Sequence, residues 1–405
     1  MDGKTPLWIA SAWGRGEVVK ILLERNDVTL DKPDVDGKTP LWIASYSGHE
    51  GAVKLLLLRS DVNPDRPNNE GKTPLWIASA WGRGGVVKLL LERNDVTPDK
   101  PDGDGKTPLS IASYWGHEGV AKLLLARSGV NSDKPNNDGE TPLWRASCQG
   151  HEGVVRLLLA RSNVNANKPN NEGKTPLWIA SAWGRGGVVK LLLELNDVNP
   201  DKPNNDGETP LWRASYQGHA GVVKLLLAQK SVKPDKSNNK RETPLWCASS
   251  KGHEEVVKLL LRRNDVNRDK PRYDGKTPLR IAARNGHEGV VQLLDSVRHG
   301  AARRGFSHAR PPPDGAGGVL LLSCSSRPRF SPPILNGGPS GGTSGARATA
   351  GGEARNGGKN ALHRPGERGE RDFGRWPGNE LYYWRSDCRK RPSCFALMVF
   401  PLLFR

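Results

Sequence analysis

The stretch Thr5-Pro6-Leu7-Trp8-Ile9-Ala10-Ser11 decides the fold, because close copies of it recur along the chain at a constant spacing. The copies begin at threonines that lie 34 residues apart, with no insertion between them. These threonines are Thr5, Thr39, Thr73, Thr107, Thr141, Thr175, Thr209, Thr243 and Thr277. Such regular spacing indicates a repeat array, in which one supersecondary unit stacks on its neighbours to complete its core.

Each unit predicts two short helices and a non-helical linker. Thr39 suits a helix N-cap, and Pro40 suits the first helical position because no N–H is needed there. Gly48 can end this helix in a left-handed conformation. A second helix follows, with valine and leucines of residues 53–57 on its apolar face. Prolines and a glycine between residues 63 and 72 then end the helical pattern, which predicts a turn or an extended hairpin.

The unit resembles the ankyrin repeat, whose Thr-Pro-Leu-His-x-Ala-Ala motif reads Thr-Pro-Leu-Trp-Ile-Ala-Ser here. Further matches are Gly48-His49-Glu50, the Val-Lys-Leu-Leu-Leu run of residues 53–57, Asp61-Val62-Asn63, and the Asp36-Gly37 that precedes the next Thr-Pro. In most repeats tryptophan replaces the motif histidine. Each indole keeps one donor and adds a large apolar body, which we expect at the seam between repeats.

The resemblance implies an all-α, ankyrin-type helix-turn-helix solenoid with hairpin linkers, followed by a disordered tail. Nine 34-residue repeats would occupy residues 1–295. Residues 296–405 are rich in glycine, proline and arginine, a composition typical of disorder. Two interpretations of this segment stay open, a genuine Arg/Gly-rich arm and a gene-model artefact of translated non-coding or out-of-frame sequence.

The positive charge lies mostly in the last quarter of the chain. Of the formal net charge of +18, +11 falls in residues 296–405 and +7 in residues 1–295. The sequence pI of 9.8 therefore says little about nucleic-acid binding by the repeats themselves.

No motif predicts catalysis, so we expect no catalytic residue, cofactor, metal or small-molecule substrate. Gly37-Lys38-Thr39 lacks the upstream glycine of a phosphate-binding loop, and Pro40 follows it, so it predicts a turn and an N-cap. The resemblance implies a structural role in the helix–helix turn for the recurrent histidines, which Arg15, Arg83 and Arg185 replace in three repeats. These histidines are His49, His117, His151, His219, His253 and His287.

Cysteine usage and hydropathy predict a cytoplasmic protein, with the nucleus as the alternative. The 5 cysteines, at positions 148, 247, 324, 388 and 394, show no metal-ligand spacing, which favours a reducing compartment. The longest apolar run, residues 394–404, contains Pro401 and is shorter than the roughly 20 residues that a membrane span needs. The N-terminus lacks the apolar core of a secretory signal.

Two adjacent positions at the end of the first helix vary, while the core positions stay constant. In ankyrin repeats these positions line the concave groove, so exposed aromatic residues there are predicted to anchor a protein partner. For the tryptophans, packing between repeats is the alternative. The predicted groove residues are Trp13, Tyr46, Trp81, Tyr114, Trp115, Trp183, Tyr216 and Lys251.

The sequence thus predicts a protein-binding scaffold or recognition arm whose partner is an unidentified protein. The alternative is an anionic partner such as RNA, bound through basic repeats eight and nine and the Arg-rich tail. This basic cluster is Lys240, Arg241, Lys251, Arg262, Arg263, Arg268, Arg272, Arg280 and Arg284. Arg241 stands where the other repeats have glycine, which predicts a strained or rearranged turn.

Repeats one, three and six share Trp-Ile-Ala-Ser-Ala-Trp-Gly-Arg-Gly, which indicates recent duplication. In this respect the chain resembles the ankyrin arrays of fungal NOD-like receptors (NACHT-ankyrin proteins). In those receptors the array senses a ligand, and a nucleotide-binding domain, absent from this sequence, lies N-terminal to it. The resemblance implies a recognition role for the repeats.

Overall fold

The computed structural model describes residues 2–305, and side chains up to residue 296. This part of the chain holds 18 α-helices and no β-strand, which confirms the all-α prediction there. The helices are α1 Pro6–Ala12, α2 Gly16–Leu23, α3 Pro40–Ser47, α4 Glu50–Leu57, α5 Pro74–Ala80, α6 Gly84–Glu92, α7 Pro108–Trp115, α8 Glu118–Ala126, α9 Pro142–Gln149, α10 Glu152–Leu159, α11 Pro176–Ala182, α12 Gly186–Leu193, α13 Pro210–Gln217, α14 Ala220–Leu227, α15 Pro244–Lys251, α16 Glu254–Leu261, α17 Pro278–Arg284 and α18 Glu288–Gly305.

The last helix continues past residue 295, where the composition predicts the end of the array, and reaches Gly305. The prediction of a disordered tail otherwise falls on residues 306–405, which lie outside the described residues.

Each first helix begins at the motif threonine. The buried Thr39 hydroxyl accepts a hydrogen bond from the Trp42 backbone N–H at 3.1 Å, and Pro40 occupies the first helical position. Gly48, with φ of 83°, closes α3 in the left-handed conformation. The threonine cap recurs in all nine repeats, so both predicted caps are confirmed.

One continuous core runs along the repeats. Repeat two contributes Leu41 and Ala44 from α3, and Val53 and Leu56 from α4, all with no exposed surface. Their equivalents in the other repeats belong to the same hydrophobic cluster. Because one pair of short helices cannot enclose such a core, every repeat depends on its neighbours.

Seven tryptophans join their repeat to the next, as the sequence predicts, and only the seam after repeat four, where Ser110 takes this position, lacks one. The Trp42 indole Nε1–H donates to the Lys72 carbonyl at 2.9 Å, and Lys72 Nζ lies 5.1 Å above the ring of Trp76. The same indole–carbonyl bond is made by Trp8, Trp42, Trp76, Trp144, Trp178, Trp212 and Trp246. None of these side chains is more than 7% exposed.

The linkers end in tight turns that we call hairpin tips, and the tip of repeat two is residues 34–38. The Asp34 backbone N–H donates to the Lys38 carbonyl at 3.0 Å, and Asp34 Oδ1 accepts the Lys38 N–H at 2.8 Å. Neighbouring tips are also bonded, since the Asn69 backbone N–H donates to the Asp36 carbonyl at 3.0 Å. Equivalent bonds start from Gly103, Asn137, Asn171, Asn205 and Asn239.

This tip ladder requires glycine. Gly37 has φ of 83°, and a Cβ atom there would lie 2.8 Å from the Asn69 backbone nitrogen. In repeat eight Arg241 occupies the glycine position with φ of 59°, and it is the described chain's one non-glycine residue at positive φ. The predicted strain in this turn is confirmed. The described residues show no ladder bond between this tip and that of repeat nine.

Candidate functional site

The predicted groove residues stand where each first helix ends. In repeats three and six the helix stops one residue before the tryptophan, and Trp81 and Trp183 cap it with their backbone N–H groups. A left-handed glycine follows each of them, Gly82 and Gly184, both with φ of 67°. The turn therefore holds the indole at the end of the helix, outside the regular seam.

Four tryptophans at this position are exposed to solvent. The exposed fraction is 62% for Trp13, 38% for Trp81, 47% for Trp115 and 42% for Trp183. Since the seam tryptophans are almost fully buried, residues 2–296 contain two distinct classes of tryptophan. Exposure separates these four from the seam tryptophans, although Trp81 also meets the Tyr46 ring of the preceding repeat.

The groove tyrosines are only half-exposed, whereas the sequence predicts exposed aromatic residues at both groove positions. Tyr46 stacks on Trp42 with ring centroids 5.9 Å apart, and the Trp81 ring meets it edge-on at 5.1 Å. Tyr216 likewise stacks on Trp212 at 5.4 Å. The tyrosines thus support neighbouring rings. The stacked tryptophan lies four residues earlier on the same helix, and for Tyr46 the next repeat adds the Trp81 ring.

Two of the tyrosines also carry cations of the chain itself. The Lys251 Nζ lies 4.7 Å from the centre of the Tyr216 ring, and the Arg213 guanidinium lies 5.3 Å from it. The Arg145 guanidinium lies 4.4 Å from the Tyr114 ring. Lys251, a predicted partner-binding residue, is therefore exposed but already engaged in an intramolecular cation–π contact.

The structure brings together some of the predicted residues and separates others. Tyr46 contacts Trp81 across the seam of repeats two and three, and Tyr114 meets Trp115 edge-on at 5.1 Å in repeat four. Trp183 and Trp13 lie in repeats six and one, in no such ring pair among the described residues. The aromatic surface is thus most continuous over repeats two to four.

Trp13 differs from its equivalents because repeat one has no preceding repeat in this structure. Ile9 and Val18 beside it are each 47% exposed, whereas Ile43 and Ala52, which occupy the same positions in repeat two, are 4% and 1% exposed. Part of the exposure of Trp13 therefore comes from the end of the array. Trp81, Trp115 and Trp183 are the informative members of the set.

A buried ion pair that the sequence did not predict lies beside the groove. Arg145 is 8% exposed, and its Nη1 lies 2.8 Å from Glu140 Oε2. In repeats five and seven, glutamate replaces the lysine before the threonine, and arginine replaces the isoleucine after the tryptophan. The two replacements occur together in both repeats, and this pairing could have predicted the ion pair from the sequence. In repeat seven, burial raises the pKa of the equivalent Glu208, while Arg213 lowers it.

The recurrent histidines bridge neighbouring repeats. His49 Nε2 donates to the Ala12 carbonyl at 3.1 Å, and Arg83 Nε reaches the equivalent Tyr46 carbonyl at 3.2 Å. Arginine can therefore replace histidine, which confirms the structural interpretation. Burial lowers the pKa of His151 and of His219, which favours the neutral ring with the proton on Nε2.

Reactive groups are scarce in the described part of the chain. Burial raises the pKa of the Cys247 thiol, which disfavours the nucleophilic thiolate. Within residues 2–296, no group of three or more His, Cys, Asp or Glu side chains is arranged to hold a metal ion. No helix between residues 2 and 305 combines the length and apolar character needed to cross a membrane.

A comparison with known protein families identifies the repeat. A family model described as ankyrin repeats, in three copies, matches residues 1–67, 53–135, 86–168, 121–203, 161–238 and 228–301. No curated protein matches the chain. Because the matched segments cover well over half of the sequence and the described helices form the expected stacked pairs, the chain belongs to the ankyrin repeat family.

Proposed function

We propose that this chain is a non-catalytic scaffold that binds a protein partner through the concave face of its ankyrin solenoid. Ankyrin repeats generally indicate protein-interaction scaffolds. The observation that carries the proposal is the exposure of Trp81, Trp115 and Trp183, at 38%, 47% and 42%, in an array that buries seven other tryptophans. Large rigid aromatic side chains at a surface are typical binding anchors.

The central anchors in this proposal are Trp81 and Trp115. Tyr46 and Tyr114 hold them from the side at centroid distances of 5.1 Å, so the rings are ordered before a partner arrives. Pre-ordered rings lose little conformational freedom on binding, which favours affinity. Tyr216, Lys251, Trp183 and Trp13 extend the surface toward both ends of the array.

The proposed setting is a reducing compartment, the cytoplasm or the nucleus. Cys148 and Cys247 are buried in separate repeats, and neither is in a disulfide within the described residues. The near-identical repeats one, three and six support a recognition role like that of the arrays of fungal NOD-like receptors, which the chain resembles in this respect.

The test uses a photo-crosslinking amino acid in place of Trp115, with the same substitution at the exposed Lys122 on the second helix as the matched control. The captured protein is identified, purified and titrated against the wild-type chain and against Trp81→Ala and Trp115→Ala. Each substitution should weaken binding by about 1–2 kcal/mol, with little dependence on salt. Equal capture from Lys122, or unchanged affinity of both variants, would refute the groove.

A second candidate function is the binding of an anionic partner such as RNA through repeats eight and nine. It is favoured by exposed cations that have no ion-pair partner among the described residues, namely Lys240, Arg241, Arg262, Arg280 and Arg284. Binding of this kind weakens steeply as salt rises, because it releases counterions from phosphates. Salt dependence therefore separates the two candidates.

A further inference from the structure

The hairpin tips of repeats eight and nine differ together from the other tips. Lys240 stands at a position that is acidic in every other tip, and Arg241 stands at the glycine position. In repeat nine, Arg272 replaces an asparagine or aspartate, and Tyr273 occupies a position that elsewhere is most often asparagine. The edge of the array thus changes from acidic to basic and aromatic at one junction.

Arg241 opens this junction. At the preceding junction, a Cβ atom on Gly207 would lie 2.9 Å from the Asn239 backbone nitrogen, so the two tips fit only because glycine lacks that atom. Arg241 has the atom, and the Tyr273 N–H makes no ladder bond to the Lys240 carbonyl. The tip of repeat nine therefore lacks the backbone bond that joins the other tips, and Tyr273 is 64% exposed.

Arg272 fixes the orientation of the exposed ring. Its guanidinium lies 4.6 Å from the centre of the Tyr273 ring, and its Nη2 donates to the tyrosine hydroxyl at 3.2 Å. The same guanidinium lies 3.2 Å from Glu242 and 5.2 Å from the Trp246 ring. Arg272 thus ties the two tips together and supports the tyrosine from one side, which leaves the rest of the ring open to solvent.

The charge around this ring is positive. Glu242 pairs with Arg272, and Asp274 pairs with Lys276 at 2.6 Å, which lowers the pKa of Asp274. Both acids are therefore neutralised by partners within the junction. Lys240 and Arg241 are exposed and have no ion pair among the described residues.

We propose that this tip patch, formed by Lys240, Arg241, Arg272 and Tyr273, binds single-stranded nucleic acid. A base stacks on the open face of Tyr273, and Lys240 and Arg241 contact the flanking phosphates. An aromatic ring between unpaired cations is the combination that recognises unstacked bases on a charged backbone, whereas an acidic peptide would make no use of the ring. The inference rests on the second candidate function and names its site.

The experiment measures the fluorescence anisotropy of labelled oligouridine and oligothymidine of about 12 nucleotides with the full chain, at about 50 and 200 mM salt. Tyr273→Asn should weaken binding roughly tenfold and leave the salt dependence unchanged, because it removes stacking alone. Lys240→Asp with Arg241→Gly should weaken binding and reduce the slope of log K against log salt by about 1.4, for two lost phosphate contacts.

Two controls separate a loss of binding from a loss of folding. Each substitution restores a residue type that other tips already carry, and Arg241→Gly should raise stability, so weaker binding cannot come from unfolding. Val35→Asn changes the same position as Tyr273 in another tip, where the side chain is 66% exposed, and should leave the affinity unchanged. Comparing oligouridine with oligothymidine shows whether the site distinguishes RNA from DNA.

Three outcomes overturn the inference. If both patch variants bind as tightly as the wild type, or if 4-thiouridine crosslinks map only to residues 306–405, nucleic acid binds elsewhere and the second candidate function survives without this site. If poly-glutamate binds as tightly as oligouridine, and Tyr273→Asn changes the affinity for neither of them, the surface recognises acidic peptides. If no oligonucleotide binds at all, the second candidate function fails together with the patch.

Discussion

Two neighbouring seams, one between repeats seven and eight and one between repeats eight and nine, share the same indole–carbonyl bond on the helix side. They differ in the bonds between their hairpin tips. The indoles of Trp212 and Trp246 donate to the following tip at 2.8 and 3.0 Å in the two seams. At the tips, Asn239 bonds to repeat seven through its backbone at 3.0 Å and through its side chain at 3.1 Å. Tyr273 has neither bond to repeat eight.

The difference shows that a seam contains two sets of contacts that vary independently. The helix side depends on a buried indole and a carbonyl, which the change at residue 241 leaves intact. The tip side depends on the absence of a single Cβ atom. One substitution can therefore change the edge of the array without separating its core.

The largest expected effect comes from breaking the helix side. Trp178→Ala should lower the free energy of unfolding by about 3–5 kcal/mol, because it opens a cavity and leaves the Glu208 carbonyl without its donor. Denaturant unfolding measures this. Trp183→Ala is the control, since that side chain is 42% exposed, and it should cost less than about 1 kcal/mol. Similar losses in both variants would contradict the two classes of tryptophan.

A smaller effect should follow from breaking the tip side of an intact seam. Gly207→Ala forces a Cβ atom into a left-handed position with φ of 78° and against Asn239. It should lower stability by about 2–3 kcal/mol through backbone strain and lost ladder bonds. Gly275→Ala, with φ of 74° and nothing within 4 Å of the added atom, isolates the strain and should cost about 1 kcal/mol. Equal costs would show that the ladder contributes nothing.

Restoring the tip bond of the last seam should raise stability instead of lowering it. Arg241→Gly removes the strain at φ of 59° and allows the Tyr273 N–H to reach the Lys240 carbonyl, so stability should rise by about 1 kcal/mol. Thermal unfolding measures the gain, and slower hydrogen exchange of the Tyr273 amide reports the new bond. A gain in stability without slower exchange would assign the whole effect to the backbone strain.

The smallest effect concerns pH. Burial lowers the pKa of His151, so the folded protein holds this proton less tightly than the unfolded chain. The corresponding stability is present above about pH 6.5 and is lost as the pH falls through the folded pKa. His151→Arg, which should reach the Tyr114 carbonyl as Arg83 reaches that of Tyr46, should make stability less pH-dependent between about pH 7 and 5. An unchanged slope would remove His151 as a contributor.

Much of the fold could be predicted from local sequence. The Thr39 cap, the proline after it and the left-handed Gly48 act within a few residues, so their chemistry is readable without neighbours. The constant spacing then implies stacking, and the seam tryptophans follow from large apolar residues at one repeat position. The strain at Arg241 was predictable for the same reason, since a glycine position in the other repeats holds a side chain there.

The candidate site was predictable only in part. The sequence predicts exposed aromatic residues at both groove positions, but the structure half-buries Tyr46 and exposes Trp81. The reason is that exposure at the end of a short helix depends on what the adjacent repeat supplies. Trp42 on the same helix and Trp81 of the next repeat cover the Tyr46 ring, while the Trp81 ring stays 38% exposed at the turn before Gly82.

The sequence by itself determined the repeat unit, its caps, its core and the family, because these depend on contacts within one unit or on a strict period. Only the tertiary structure decided which aromatic rings are exposed, which cations are already paired and where the tip ladder stops. Those properties depend on atoms about one full repeat away in the chain. Arg272 beside Glu242, 3.2 Å away in the preceding tip, shows this, since its role depends on a neighbour that no local pattern contains.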